Sequence, residues 1–135
     1  SLNAYKYRDD IVLTGFVKEG DLVKLIGSAY ALIRPNQQDG VDGSLLEAMN
    51  CHIPVIASAD PFTKEIAGDA VLFANTDDHT DVAEKMMLLY KDESLRSRLV
   101  EKGKTVVEKY NWDKTADALW QCIQKAYATA SKTQC

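Results

Sequence analysis

Short apolar runs alternate with segments of helically spaced apolar residues along the first half of the chain. Each short run is bounded by polar or turn residues, which predicts buried strands at Ile11–Val17, Tyr30–Ile33, Ile53–Ala57 and Ala70–Phe73. Asp21 can cap a helix whose apolar residues follow at helical spacing, and Leu45–Asn50 predicts a second helix. Pro61–Ala67 predicts a loop with room for one helical turn.

From about Thr80 onward the apolar residues recur at helical spacing only. Three stripes predict three helices, the last of them capped by Asn111. The stripes are Val82, Met86, Leu89 and Tyr90, then Leu95, Leu99, Val106 and Tyr110, then Ala116, Leu119, Trp120, Ile123 and Tyr127. We expect the methionine and aromatic members of these stripes to lie in the core.

Strands that alternate with helices, and that are almost continuously apolar, favour a parallel sheet in an α/β fold. We therefore expect residues 1–135 to form a single domain, with a Rossmann-like parallel sheet of about four strands and flanking helices. The chain does not begin with Met and reaches its first apolar run after a few polar residues. For that reason we expect it to be a piece of a longer protein.

Composition narrows the possible functions. The net charge of −4 and the pI of about 5.1 argue against a nucleic-acid binder, which needs a basic face. No apolar run approaches the roughly 18–20 residues of a transmembrane helix, and no signal peptide is recognisable. The three cysteines lack the close spacing of a zinc or redox site, which suits a reducing cytoplasm.

The loop Asn36–Gly43 follows a predicted strand and precedes a predicted helix. In parallel sheets, ligands bind outside the carboxyl ends of the strands, and free amides before a helix favour an anion. Gly40 and Gly43 let the backbone approach a ligand closely. Asp39 and Glu47 could each accept two hydrogen bonds from neighbouring sugar hydroxyls. Together these residue types suit a nucleotide sugar, which carries phosphates between two sugar rings.

The same residues also have purely structural interpretations. Ser44 and Glu47 match the S-x-x-E capping box, in which the glutamate bonds back to the start of the helix. Asp39 could be a turn residue that bonds its own backbone. From these residue types alone, a loop without a ligand stays open as an alternative.

The stretch Asp39–Met49 resembles the E-G-F-G-L-P-x-L-E-A-M motif of family 4 glycosyltransferases, which have the GT-B fold. Five further blocks resemble family segments in the same order and at the same spacing. They are Leu13–Val17, Arg34–Asn36, Cys51–Ile56, Lys64–Ala70 and Tyr110–Trp112. The resemblance covers roughly residues 11–125, and this breadth makes it specific.

The resemblance implies part of the C-terminal, donor-binding domain of a retaining hexosyltransferase. Asp39 and Glu47 become the candidate catalytic pair, with Asp39 facing the transferred sugar and Glu47 holding the nucleotide ribose. The candidate donor-binding residues fall into three groups. Gly40, Val41, Asp42, Gly43 and Ser44 would face the diphosphate and sugar, the backbone of Gly15, Phe16 and Val17 would meet the base, and Glu65 would lie near the cleft.

The resemblance also implies partners and surroundings. The donor is a nucleotide diphosphate sugar used without a metal or other cofactor, and the acceptor is a glycan or lipid-linked sugar held by an N-terminal domain that is absent here. The parent would build cell-surface polysaccharide in the cytoplasm, or at the inner face of the membrane. We expect the fragment to be inactive, because half of the cleft is missing, and to self-associate through an exposed sheet edge.

Several positions depart from the family pattern. Asp39 is one methylene shorter than the family's glutamate, Asp42 replaces its second glycine and Ser44 replaces its proline. His52 replaces a glycine that ends the helix with a left-handed backbone. The family's G-R-x-x-x-x-K-G segment, which neutralises the diphosphate, has no match, and Arg34 and Lys64 are nearby substitutes. Two rival interpretations follow: a non-catalytic lobe that has lost donor binding, and a sugar-nucleotide epimerase of similar fold.

Overall fold

The structure of the chain is a computed structural model that describes residues 6–35 and 43–132. Its strands are β1 (Leu32–Arg34), β2 (Val55–Ser58) and β3 (Leu72–Ala74). Its α-helices are α1 (Glu19–Ser28), α2 (Ser44–Asn50), α3 (Pro61–Ala67), α4 (His79–Lys91), α5 (Glu93–Val107) and α6 (Trp112–Lys132). None of these helices is long and apolar enough to cross a membrane.

The described strands form one parallel sheet in the order β1-β2-β3. Ile56 of the central strand is level with Ile33 on one side and with Leu72 on the other. All four residues of β2 are buried, as expected for a strand with helices on both faces. The predicted α/β class with a parallel sheet is confirmed, with three strands rather than about four in the described residues.

The predicted strand at Ile11–Val17 is wrong. The segment is irregular, and Val12 is 79% exposed and Phe16 95% exposed. A strand needs a neighbour to take its backbone hydrogen bonds, and the described ladders join only β1 to β2 and β2 to β3. The segment is apolar and rich in β-branched residues, which favours a strand, but no described strand pairs with it.

The sheet separates two apolar clusters, because successive side chains of a strand point to opposite faces. Val55 and Ala57 pack with residues of α1, α2 and α5, including Ile26, Leu45 and Val106. On the opposite face Ile56 and Ala74 pack with Leu89 of α4 and Leu99 of α5. The result is a three-layer arrangement in which α5 contributes to both layers of helices.

Helix α2 ends as the sequence predicts. His52 has a φ of 61°, a left-handed backbone that glycine adopts more easily than other residues. The amides of His52 and Ile53 donate to the carbonyls of Met49 and Ala48, at 3.1 and 2.8 Å. This pair of hydrogen bonds is the Schellman motif, and it ends the helix before β2 begins.

Two helix boundaries differ from the prediction. Helix α1 begins at Glu19, so Asp21 lies in its first turn instead of capping it. Pro61–Ala67 is a regular helix of seven residues rather than a loop with one helical turn. Its start is stabilised by Asp60 at the N-cap and by Pro61 at the first helical position, where a missing N–H costs nothing.

The three C-terminal helices form where the stripes predict, but part of the predicted core is wrong. Leu89, Leu99 and Val106 are buried, whereas Met86, Tyr90, Trp120 and Tyr127 are exposed. Every described side chain of α6 is exposed. An apolar stripe becomes core only where another element packs on it, and no element of the described residues covers α6.

Candidate functional site

The carboxyl ends of the three strands gather at one edge of the sheet, because the strands are parallel. β1, β2 and β3 end there at Arg34, Ser58 and Ala74, and α2, α3 and α4 begin after them. The predicted binding loop therefore leaves the sheet at the edge where an α/β fold binds its ligands. We call this the carboxyl edge.

Glu47 lies in the first turn of α2, at the carboxyl edge. Its amide donates to the carbonyl of Gly43 at 2.9 Å. Its side chain is half-buried, and its Oε1 lies 3.5 Å from the position that a Cβ on Gly43 would take. The carboxylate thus folds back over the start of the helix, towards the predicted binding loop.

The structure contradicts the capping box at Ser44. The N-cap of α2 is Gly43, whose backbone already has helical angles, φ −56° and ψ −23°. Ser44 is consequently the first helical residue, one position too late for the S-x-x-E register. Glu47 is left at a helix start without that structural role.

Most of the predicted binding loop lies outside the described residues. This holds for Asp39, Gly40, Val41 and Asp42. The assignment of Asp39 to the transferred sugar, and of the loop amides to the diphosphate, stays a prediction. Gly43 is exposed and Ser44 is half-buried where the chain re-enters the described structure.

The remaining predicted donor residues lie on two separate segments. Gly15 has a φ of 60°, Phe16 is exposed and Val17 is half-buried, just before α1. Helix α1 packs against α2, so this segment leads into the helix beside the one that carries Glu47. Glu65 is exposed on α3. Their contacts with a donor stay predictions.

Sequence reasoning missed a buried polar network at the carboxyl edge. Arg34 is 5% exposed, and its guanidinium donates to Thr63 Oγ1 at 2.9 Å. That hydroxyl donates in turn to Asp60 Oδ2 at 2.6 Å, and the Thr63 amide donates to Asp60 Oδ1 at 2.8 Å. Ser58 Oγ also donates to Asp60 Oδ2, at 2.9 Å. The network joins the ends of β1 and β2 to the start of α3.

The network keeps Asp60 ionised. Partial burial works to raise the pKa of this carboxyl, but the two hydrogen bonds from Thr63, the one from Ser58 and the charge of Arg34 outweigh it. They lower the pKa of Asp60 from 3.8 to about 2. Both oxygens of the carboxylate accept hydrogen bonds from Ser58 or Thr63, so Asp60 caps α3 and connects it to the end of β2.

A local signal could have revealed part of this network. Asp60 before Pro61, with Thr63 three residues on, is a helix-start signature. Nothing in the sequence marks Arg34 as buried, since it stands beside a proline at a strand end, where solvation is common. Of the two basic residues considered as partners for a diphosphate, Arg34 lies inside the network and Lys64 is exposed.

A cavity of about 520 Å³ opens beside the network at the ends of β2 and β3. Its lining is Ser58, Ala59, Asp60, Pro61, Ala74, Asn75 and Thr76. Within residues 6–35 and 43–132, no three histidine, cysteine or carboxylate side chains are grouped to hold a metal. Glu47, whose carboxylate can accept hydrogen bonds from hydroxyl groups, does not line this cavity.

Comparison with known proteins gives the family. The model of the family "Glycosyl transferases group 1" matches residues 1–106. O-antigen chain mannosyltransferase B of Escherichia coli is 28% identical over 99 residues, which cover 73% of this chain and 26% of that protein. An uncharacterized glycosyltransferase of Methanocaldococcus jannaschii is 34% identical over 106 residues, covering 77% of this chain and 30% of that protein.

A solved structure agrees with the fold. Sucrose-phosphate synthase from Thermosynechococcus elongatus matches 90% of this chain and 31% of its own, with a TM-score of 0.80 and 22% identity. The chain thus spans between about a quarter and a third of these relatives. From its family match and its parallel α/β fold, the chain belongs to the glycosyl transferases group 1 family.

Proposed function

We propose that this chain is the donor-binding part of a retaining glycosyltransferase, and that it binds a nucleotide diphosphate sugar at the carboxyl edge. The observation that carries the proposal is the position of Glu47. Its carboxylate folds back over Gly43 at the start of α2, and the capping box that would otherwise explain it is not formed. Family membership supports the same conclusion.

The proposed role of Glu47 follows from the chemistry of a ribose. A carboxylate accepts hydrogen bonds from two adjacent hydroxyls, and its charge strengthens both. Asp39, eight positions earlier, would hold the hydroxyls of the transferred sugar in the same way. During transfer the bond between the sugar's anomeric carbon and the diphosphate oxygen breaks, and a bond to the acceptor hydroxyl oxygen forms. The nucleotide diphosphate leaves and takes up the proton that the hydroxyl gives up. We propose no metal or other cofactor for this step.

We propose that the parent protein transfers a mannose or a related hexose to a cell-surface glycan or its lipid-linked precursor. The support is that two Escherichia coli relatives are named an O-antigen chain mannosyltransferase and a serotype-specific mannosyltransferase. We expect the parent to work in the cytoplasm or at the inner face of the membrane. Fractionation of cells that express the full-length protein checks this location.

Donor binding is tested on the chain itself by saturation-transfer NMR. The probes are UDP, GDP and ADP, each with and without a sugar. We expect one nucleotide to be selected, and Glu47→Gln to weaken it by at least about tenfold, because a charge-assisted bond is lost. Glu84→Gln on the exposed surface of α4 is the matched control and should bind normally.

Two results would count against the proposal. If Glu47→Gln binds as tightly as the wild type, the ribose contact is wrong. If no nucleotide gives saturation transfer, the chain does not bind a donor alone, and the interpretation as a non-catalytic lobe gains support. An epimerase would instead convert the free nucleotide sugar, which the same NMR samples reveal.

We expect the chain alone to transfer no sugar, since an acceptor must also be held in a closed cleft. Transfer at the rate of the full-length parent would contradict this. Retention of the anomeric configuration is checked by NMR of the product that the parent makes.

Self-association also stays a prediction. The apolar surface available for it lies beside β1, where Ile33 and Ile56 of the sheet and Met86 and Tyr90 of α4 line a cavity of about 500 Å³. Light scattering at high concentration, with Ile33→Lys as the disrupting variant, checks it. A monomeric wild type would rule it out.

A further inference from the structure

We propose that Arg34 and Thr63 are positioning residues for donor binding: through Asp60 they hold the end of β1, where the binding loop departs, against the start of α3. This proposal rests on the proposed function. It assigns a role to a buried network that the family motif does not include.

The first argument is the cost of burying Arg34. A guanidinium is stable inside a protein only when its donors and its charge are matched, and an apolar residue at a strand end would avoid that requirement. Among the described residues, the guanidinium donates to the fully buried hydroxyl of Thr63, which donates in turn to the carboxylate of Asp60. The chain thus buries an arginine at a strand end and connects it to a carboxylate through a hydroxyl, where packing alone needs no charge.

The second argument is connectivity. Arg34 is the last residue of β1, and only Pro35 separates it from the loop that carries Asp39. Thr63 and Asp60 are in and before the first turn of α3, and Ser58 is the last residue of β2. One set of hydrogen bonds therefore connects three points of the carboxyl edge: the end of β1, the end of β2 and the start of α3.

The third argument is the shortness of the elements involved. β1 has three residues and α3 has seven, so few backbone hydrogen bonds hold either in place. Short elements gain definite geometry from side-chain bonds to their neighbours, and a bidentate-capable arginine restricts orientation more than a lysine would. Loss of the network should displace Arg34 and Pro35, at the end of β1, more than it unfolds the domain.

The test uses Thr63→Val, which keeps the side chain's size and removes the hydroxyl, and Thr63→Ser, which restores the hydroxyl. The control is Asp92→Ala. Asp92 accepts from the Leu95 amide at 2.8 Å and so caps α5, just as Asp60 accepts from the Thr63 amide at 2.8 Å. Asp92 follows the last residue of α4, at the end of that helix away from the carboxyl edge. Asp60→Asn serves if Thr63→Val does not fold. The probe is the nucleotide sugar selected by the wild-type chain.

We expect Thr63→Val to raise the donor Kd by about tenfold and Thr63→Ser to restore it to within about twofold. Asp92→Ala should lower the thermal midpoint and leave the Kd unchanged. A Thr63→Val chain that binds like the wild type overturns the proposal. So does an equal loss of affinity in Asp92→Ala, since the effect would then be one of general stability.

A ligand-free measurement separates this proposal from donor binding itself. In amide NMR spectra, Thr63→Val should shift the signals of Arg34 and of Ser44, on either side of the loop. If the wild type binds no nucleotide but these signals shift, donor binding by the chain fails, while the network is still shown to position the two ends of the loop. If the shifts are confined to α3, the positioning role is overturned whatever the chain binds.

Discussion

Helices α5 and α6 carry the same kind of apolar stripe but have different surroundings. On α5, Leu99 is 5% exposed and Val106 is 8% exposed, and both belong to the core. On α6, Trp120 is 60% exposed and Tyr127 is 77% exposed. The comparison shows that helical spacing determines whether a segment can be an amphipathic helix, whereas burial depends on a partner for its apolar face.

The largest expected difference concerns matched leucines. Leu99→Ala in α5 should lower the free energy of unfolding by about 2–5 kcal/mol, because it leaves a cavity beside Ile56 and Leu89. Leu119→Ala in α6 should change it by less than about 0.5 kcal/mol, since this residue is 61% exposed. Urea unfolding measures both, and equal losses would show that α6 is packed in solution.

A second comparison concerns small residues on the two helices. A Cβ on Gly103 of α5 would lie 3.2 Å from Met49 Cγ, so Gly103→Val should overpack the contact with α2 and cost about 1–3 kcal/mol. Ala118→Val on exposed α6 should cost only its lower helix propensity, about 0.5 kcal/mol. A Gly103→Val chain as stable as the wild type would mean that Met49 repacks freely.

Acid should affect the packed region and α6 differently. In the packed region α3 is capped by the ionised carboxylate of Asp60, whereas α6 is capped by the neutral side-chain amide of Asn111. The folded pKa of Asp60 is about 2 against 3.8 for the unfolded chain, so its stabilisation is present above pH 3.8 and is lost as the pH falls to about 2. The thermal midpoint of the wild type should therefore fall through this window more than that of Asp60→Asn. If the thermal midpoints of the two proteins fall equally through this window, Asp60 is not the group whose protonation destabilises the fold.

The smallest effect on overall stability is expected at the cap of α6. Asn111 Oδ1 accepts from the Lys114 amide at 2.8 Å, so Asn111→Ala should weaken α6 by about 1 kcal/mol. Because α6 lies apart from the core, amide exchange should quicken in α6 while the unfolding midpoint stays constant. Asp92→Ala at the start of α5 is the counterpart, and it should lower the midpoint.

The functional residues show the same contrast as the helices: some follow from local sequence, and others depend on contacts made by the fold. Glu47 could be predicted as a donor contact from its spacing to Asp39 and from the family motif, because both signals are local to one loop and one helix start. The network of Arg34, Asp60 and Thr63 joins residues up to 29 positions apart, and only the fold brings Arg34 and Thr63 into contact. Sequence patterns reveal the cap at Asp60 but not its buried partner.

The sequence by itself determined the class of fold, the helices other than α3, the left-handed end of α2 at His52 and the family. Each follows from the period of apolar positions, from local backbone preferences or from a motif of short range. Only the tertiary structure decided which apolar faces are buried, that Ile11–Val17 forms no strand, and that Arg34 lies inside. These depend on partners distant in the chain, because burial and strand pairing are properties of contacts between elements and not of any single segment.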